Sequence, residues 1–379
     1  MKHTLSLISI LLVGKVLYIL WEATEMKLWV NQDLNVFMDI STYCNAGCPQ
    51  CHRTNPQGLE KQDWLPLVKW SLADFVKAFP IKELRNVKRF SFCGTWGDPM
   101  MAKDILKIVE YIINNSQSHI IITTNGSLRS EDFWWDIGVL GGRRLQITFD
   151  VDGVTQEMHE KYRRFTNLNT VLTNLKTFSQ TKAIAKTQTV LFKHNQDYKD
   201  EIRALAINSG SISHEFVISD RFNTGQGDKT LHIDENGKDF VLEKADDSVL
   251  PNGVIAGTHS RTLTDKITCR WARPRNEVVV NPDGQILPCC YHQNNYYLAL
   301  NSHSRQAGKL LQTPEYIEYE KNKKQYNIFH TPLSEIIDSK WFAETLPDSM
   351  DGDNPIKTCE RNCSTRIINT HQLRETNAR

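Results

Sequence analysis

The chain has 379 residues, 40% of them hydrophobic, with 45 basic against 44 acidic side chains and a formal net charge of +1. That size and composition suit one large globular domain, or a large domain and a small one, with a sizeable core. The charge balance argues against nucleic acid or an anionic membrane as the main partner, and the nine cysteines, odd in number and clustered, fit metal ligation in a reducing, cytoplasmic compartment better than a secreted disulfide scaffold.

Residues 5–21, LSLISILLVGKVLYILW, are strongly apolar, but Lys15 splits the run, and what remains uninterrupted is short for a spanning helix. No small-residue cleavage site follows. Residues 1–25 are therefore expected to be an apolar extension ahead of a domain that opens near Met26, with a membrane anchor as the alternative. From residue 34 a rhythm sets in. LNVFMDIS (34–41) reads as a strand, and SLADFVKAF (71–79) has helical periodicity. VKRFSFCG (87–94) is a second strand, followed by the loop GTWGDP and the amphipathic helix MAKDILKIVEYIINN (101–115). HIIITTNG (119–126) is a third strand closed by Asn-Gly, and SEDFWWDIGVL (130–140) is a helix that Ser130 can cap. LQITFDVDG (145–153), KTQTVLFKHN (186–195) and HEFVISD (214–220) are strands four to six, separated by helices over 169–180 and 197–210.

Strands alternating with helices mean βα units on a parallel sheet. Six in succession predict a partial (β/α)6 TIM-type barrel, with a doubly wound open sheet as the competing arrangement. The distinctive residues favour the barrel. The three-cysteine loop, GTWGDP, TTNG, Asp150 with Asp152, and His194 with Asn195 all fall at C-terminal strand ends, where parallel barrels build their sites. Past residue 221 the sequence turns polar and turn-rich. The barrel is accordingly placed at 26–225 and a linker with a small cysteine-rich domain at 226–379. Within the latter, CRWARPRNEVVVNPDGQILPCCYH reads as a β-hairpin turning at NPDG, PLSEIIDSKWF (332–342) as a short helix, and CERNC (359–363) offers two more thiols.

Cys44, Cys48 and Cys51 lie within eight residues, one thiol short of a closed tetrahedral site. Three thiolates can hold three irons of a cubane iron–sulfur cluster and leave the fourth open, or hold three of four zinc positions, His52 being the other ligand type at hand. C-x3-C-x2-C directly after the first strand of a βα repeat resembles the radical S-adenosylmethionine (radical SAM) superfamily. GTWGDP (94–99) is similar to that family's glycine-rich motif, TTNG (123–126) to its turn after strand three, FDVDGVTQEMHEKYR (149–163) to its strand-four stretch, and VLFKHNQDYKDEIRALAINSG (190–210) to strand five and its helix.

The resemblance covers about residues 34–220. It implies that Cys44, Cys48 and Cys51 hold a [4Fe-4S] cluster whose open iron binds S-adenosylmethionine (SAM). Reductive cleavage then yields methionine and a 5′-deoxyadenosyl radical that takes hydrogen from a peptide, protein or small-molecule substrate. It further implies cofactor contacts from Gly94, Thr95, Gly97, Asp98, Asn125, Asp150 and Asn195, with Asp98 accepting from the SAM ammonium, and a reducing partner such as flavodoxin or ferredoxin. The sequence departs from the family at Gln50, where an aromatic residue is common, at Asp98 in place of Glu, and at Asp150 in place of Ser.

The second cysteine group resembles the auxiliary-cluster extensions called SPASM and twitch domains. Five thiols suit one auxiliary [4Fe-4S] cluster, held by Cys269, Cys359, Cys363 and either Cys289 or Cys290, Cys289 being favoured; a structural zinc is the alternative. Cys93 is expected as a small buried residue of strand two. Two other functions remain in view: a non-catalytic iron–sulfur or zinc protein, and a radical SAM enzyme acting on RNA or a nucleotide.

Overall fold

The computed structural model describes residues 28–219, 221–222, 229–246, 249, 267–302, 304–352, 354–364 and 374–378. The apolar stretch 5–21 lies outside them. Six strands, β1 (Leu34–Met38), β2 (Val87–Phe92), β3 (His119–Thr124), β4 (Leu145–Asp150), β5 (Ile184–Leu191) and β6 (Ser213–Ile218), run parallel and stand side by side in sequence order. The helices between them are α1 (Leu72–Ala78), α2 (Ile81–Leu84), α3 (Ile105–Asn115), α4 (Glu131–Gly141), α5 (Gln156–Glu160), α6 (Leu168–Ser179) and α7 (Lys199–Asn208). This is the partial parallel barrel that the alternation predicts, and its elements fall within a few residues of the expected ranges.

Alternation along the strands separates two faces. In β4, Ile147 and Phe149 are fully buried, and Phe149 meets Trp134 of α4 and Phe178 of α6 at centroid distances of 4.9 and 5.8 Å. The alternate row, which includes Thr123, Asp150 and Gln188, faces the other side, where a cavity lies. Side-chain caps hold the helix starts: Ser71 and Asp74 form a capping box on α1, Ser130 accepts from Phe133 N, and Asn167 accepts from Thr170 N.

Beyond the barrel, β7 (Lys229–Ile233) and β8 (Asp239–Glu243) form an antiparallel pair. This hairpin falls in the stretch whose sequence shows only polarity and turns. It packs over the three-cysteine loop, where Leu242 and Phe240 join Ala46, Cys48, Tyr162, Phe192 and Phe222 in a small apolar cluster. The predicted C-terminal hairpin is β9 (Glu277–Val280) and β10 (Ile286–Leu287), turning at Gly284 with φ 85°. Strand β9 pairs in parallel with β1, so this hairpin continues the barrel sheet on the far side of β1. Strand β11 (Arg374–Ala378) pairs antiparallel with β6, giving nine strands in the order β10-β9-β1-β2-β3-β4-β5-β6-β11.

Four further helices matter for the site: α8 (Cys290–Asn301), α9 (Pro314–Lys321), α10 (Leu333–Ile337) and α11 (Lys357–Cys363). Sequence periodicity does not announce α8, because the side chains it buries are His292, Gln293, Tyr296 and Tyr297 rather than aliphatic ones. Tyr296, Tyr316, Tyr319, Tyr326, Trp341 and Phe342 form its aromatic support, all buried. Among the described residues no helix is long and apolar enough to cross a membrane. Phe149→Ala would leave a cavity between β4, α4 and α6; a loss of about 3–5 kcal/mol is expected, read as a lower denaturation midpoint.

Candidate active site and a second thiol cluster

Strand β1 ends at Met38, and the chain passes through Asp39 into the cysteine loop. Cys51 N donates to Cys48 O at 3.0 Å, a turn that folds the loop back on itself. Cys44, Cys48 and Cys51 line a largely polar cavity of about 240 Å³ together with Gly94, Thr95, Gly97 and Asp98 after β2, Asn125 after β3, Asp150 at the end of β4 and Gln188 in β5. Arg53, Arg163 and Arg221 add positive charge to the wall. Of the sequence-predicted barrel residues, Asn195 alone stays outside. Its Nδ2 donates to the carbonyls of Asp152 and Val190 at 3.1 and 3.0 Å, and its Oδ1 accepts from Phe192 N at 2.8 Å.

Donors converge on the sulfurs. Cys44 Sγ accepts from Ala46 N at 3.3 Å and from Asn125 Nδ2 at 3.7 Å, and Arg163 Nη1 lies 3.7 Å from Cys48 Sγ. Burial nevertheless pushes the Cys48 thiol up to about 12, against the pull of Arg163, and shifts Cys44 the same way. A bound iron–sulfur cluster would bring the positive charge that favours thiolates here.

Gly97 is forced by the protein's own backbone. A Cβ there would sit 2.3 Å from Ser41 O and 2.6 Å from Tyr43 O, because the glycine-rich loop lies directly on the chain leading to Cys44, with Asp98 N donating to Tyr43 O at 2.7 Å. The Asp98 carboxylate accepts from Met100 N, Asn125 N and Thr124 Oγ1, each at 2.9 Å. Three of its roughly four acceptor directions are thus taken inside the protein, which leaves one for an ammonium.

Arg163, with 13% of its side chain exposed, donates from Nη1 to Asp150 at 3.0 Å and from Nε to Asp152 at 2.5 Å. Asp152 N donates to His159 Nδ1 at 3.1 Å, so His159 carries its proton on Nε2, facing Thr166 Oγ1 at 3.0 Å; burial lowers this imidazole to about 4. Thr166 in turn donates to Arg163 O at 2.6 Å. Arg163 closes the FDVDG…R stretch, but only the structure shows that it touches a sulfur. Gln50 turns away from the cavity: Ser219 Oγ donates to its Oε1 at 2.6 Å, its Nε2 reaches Thr230 of β7, and Arg221 donates to its carbonyl. Cys93 follows the end of β2, half-buried, with Sγ 3.4 Å from Met38 O.

A second, small and apolar cavity is lined by Cys269, Cys289, Cys359 and Cys363, with Trp271, His292 and Met350 among its other walls. Cys289 stands in extended conformation at the position just before α8, while Cys290, the first helical residue, lies outside this lining, near Glu277, Arg270 and Arg275. His292 Nε2 stands 3.2 Å from Cys359 Sγ, and its Nδ1 is 2.5 Å from Tyr316 OH. Burial pushes the thiols of Cys290 and Cys363 up to about 12 and 11. Among the described residues no three His, Cys, Asp or Glu side chains are grouped tightly enough to hold a single metal ion.

Comparison with known proteins falls in line with this geometry. Residues 269–364 match the SPASM family, described as an iron–sulfur cluster-binding domain. A probable GTP 3′,8-cyclase of Methanothermobacter thermautotrophicus is 30% identical over 120 residues, 31% of this chain and 35% of that protein. Its counterpart in Methanocaldococcus jannaschii is 24% identical over 139 residues, 37% of this chain and 43% of that protein. The chain thus spans less than half the length of either relative. Among solved structures, Streptococcus suis SuiB superposes with a TM-score of 0.51 at 14% identity, over 85% of this chain and 68% of SuiB, a likeness of fold. By these likenesses residues 269–364 are similar to a SPASM domain, and the chain shares its fold with SuiB.

Two substitutions test the buried charges. Arg163→Met would leave Asp150 and Asp152 buried without their cation, at a cost of about 3–5 kcal/mol, measurable as a fall in denaturation midpoint at neutral pH. Asp39, fully buried after β1, has its carboxyl raised from 3.8 to about 7 by desolvation. An acid raised in this way favours the fold below about pH 4 and loses that contribution as pH rises through about 7. Asp39→Asn removes this dependence, so its Tm relative to the unmodified protein is expected to climb between pH 4 and 7.5.

Proposed function

We propose that Cys44, Cys48 and Cys51 hold a [4Fe-4S] cluster with one iron left for SAM, and that Cys269, Cys289, Cys359 and Cys363 hold one auxiliary cluster. The observation that carries the first assignment is the convergence of the three thiols, the 94–98 loop, Asn125 and Asp150 on one polar cavity. The second rests on four thiols that share one lining from which Cys290 is missing. The donor sets fit: three thiols leave one iron free, and four close a cluster. When bound, the barrel cluster and SAM supply one-electron cleavage of the sulfonium and, from its deoxyadenosyl half, a hydrogen-atom acceptor.

The chain's own residues hold and shield that chemistry. Asn125, Ala46 and Arg163 donate to the ligand sulfurs, which offsets negative charge in a site removed from bulk water. The free edges of Gly94 and Thr95 and the polar groups of Asp150 and Gln188 form the wall against which the cofactor's amino-acid and ribose parts would lie. Asp98 acts first as the brace that ties the 94–98 loop to β3, and offers its remaining lone pair to an ammonium. The β7–β8 hairpin covers the cysteine loop and limits solvent there.

For the substrate we favour a peptide or protein side chain, the class that the resemblance of the second cysteine group to SPASM and twitch extensions implies. A nucleotide is the second reading, favoured by the likeness to the two archaeal proteins named GTP 3′,8-cyclases. A flavodoxin- or ferredoxin-type protein would supply the electron. Anaerobic reconstitution with iron and sulfide is expected to load about eight irons per chain, two cubane clusters. Addition of SAM and a reductant should then release methionine and 5′-deoxyadenosine, and Cys44→Ala should abolish that release. No 5′-deoxyadenosine from the fully loaded protein would sink the reading. Hydrogen abstracted from peptide against GTP, followed by deuterium transfer into 5′-deoxyadenosine, separates the two substrates.

A further inference from the structure

We infer that Gln293 is a positioning residue that couples the SPASM domain to the glycine-rich loop through Asp39; this rests on the proposed SAM site. Cys289, Gln293 and Tyr297 recur every four residues and so share one face of α8, about 12 Å from end to end. Cys289 opens that face at the auxiliary thiol cavity, and Gln293 N makes the first helical bond to Cys289 O at 2.9 Å. One turn on, Gln293 Nε2 donates to Asp39 Oδ2 at 3.0 Å, both residues being fully buried. The other oxygen of Asp39 accepts from the backbone of the loop itself, from Thr95 N at 3.0 Å and Trp96 N at 3.4 Å. A turn further, Tyr297 packs on the Trp96 ring at 4.9 Å. One helix face thus grips residues 95 and 96 twice, between Gly94, Thr95 and Gly97 that line the cavity.

Asp39 is fully buried and is held by Thr95 N, Trp96 N and Gln293 Nε2, with the Cys93 thiol beside it; of these only Gln293 comes from another domain. Without Gln293, the buried Oδ2 loses its amide donor, and the least costly relief is for Asp39 to swing from the loop. The loop's two amides then lose their acceptor, and the wall of the SAM cavity loosens. In this way α8, whose first turn carries an auxiliary-cluster thiol, sets the order of a loop at the other site.

The test compares the reconstituted, full-length protein with Gln293→Leu and with Gln293→Met, which keeps the length of the side chain without its donor. Hydrogen exchange of the amides over 94–97 is expected to speed up about tenfold, and the dissociation constant for SAM to rise by about the same factor. Exchange in β2 and β3 and the iron content stay at the level of the unmodified protein. Unchanged exchange over 94–97 in both variants overturns the inference, and so does a rise spread evenly over the barrel strands, which marks a packing role alone. If the unmodified protein binds no SAM, the proposed function fails instead, and the exchange measurement still decides the coupling.

Discussion

Every strand from β1 to β6 runs the same way, so six loops open on one rim, and this constraint places all the chemistry. Residues scattered from 44 to 188 become neighbours because each lies in, ends or follows one of these strands. Alternation along β3, β4 and β5 decides the rest: one row of side chains packs on the helices, and the other presents Thr123, Asp150 and Gln188 to the cavity. A one-residue slip in any of these strands would exchange the rows.

Within that frame, charge is handled by enclosure rather than by exposure. Arg163 is mostly withdrawn from water, yet it is met by two carboxylates and directed at a sulfur, and a neutral His159 behind Asp152 helps to fix it in place. The same economy appears at Asp39, which accepts from the loop amides of Thr95 and Trp96, and at Asp98, which accepts from the amides of Met100 and Asn125. Buried polar groups satisfied in this way specify one loop conformation, since each alternative leaves a donor or acceptor unpaired.

The two thiol groups differ in a manner that suits different work. Three thiols face a roomy polar cavity, and four line a small apolar one. The former leaves space and polar partners for a second molecule; the latter is closed by protein on its described sides. The β9–β10 hairpin, which belongs to the SPASM match by sequence, is also the strand pair that extends the barrel sheet at β1. The two parts of the chain therefore share main-chain hydrogen bonds next to the strand that leads into the cysteine loop.

The βα alternation, the six strands, the three-cysteine loop at a strand end and the second thiol group are all legible in the chain itself. They follow from hydrophobic period and residue spacing, which are local properties. Contacts between distant segments are not local, and there period and spacing fall silent. That Cys289 rather than Cys290 lines the second cavity depends on where α8 begins, and α8 itself is hidden because it buries His, Gln and Tyr. Asn195 lies four residues past the end of β5, and its amide is consumed by neighbouring carbonyls. Gln50 is out of place only for a side chain that faces the cofactor; in the fold it ties the cysteine loop to Ser219 and β7. Local order is written in the periodicity of the chain, whereas the partner of each buried polar group is chosen by the whole fold, because only there is it decided which donors are shut away from water.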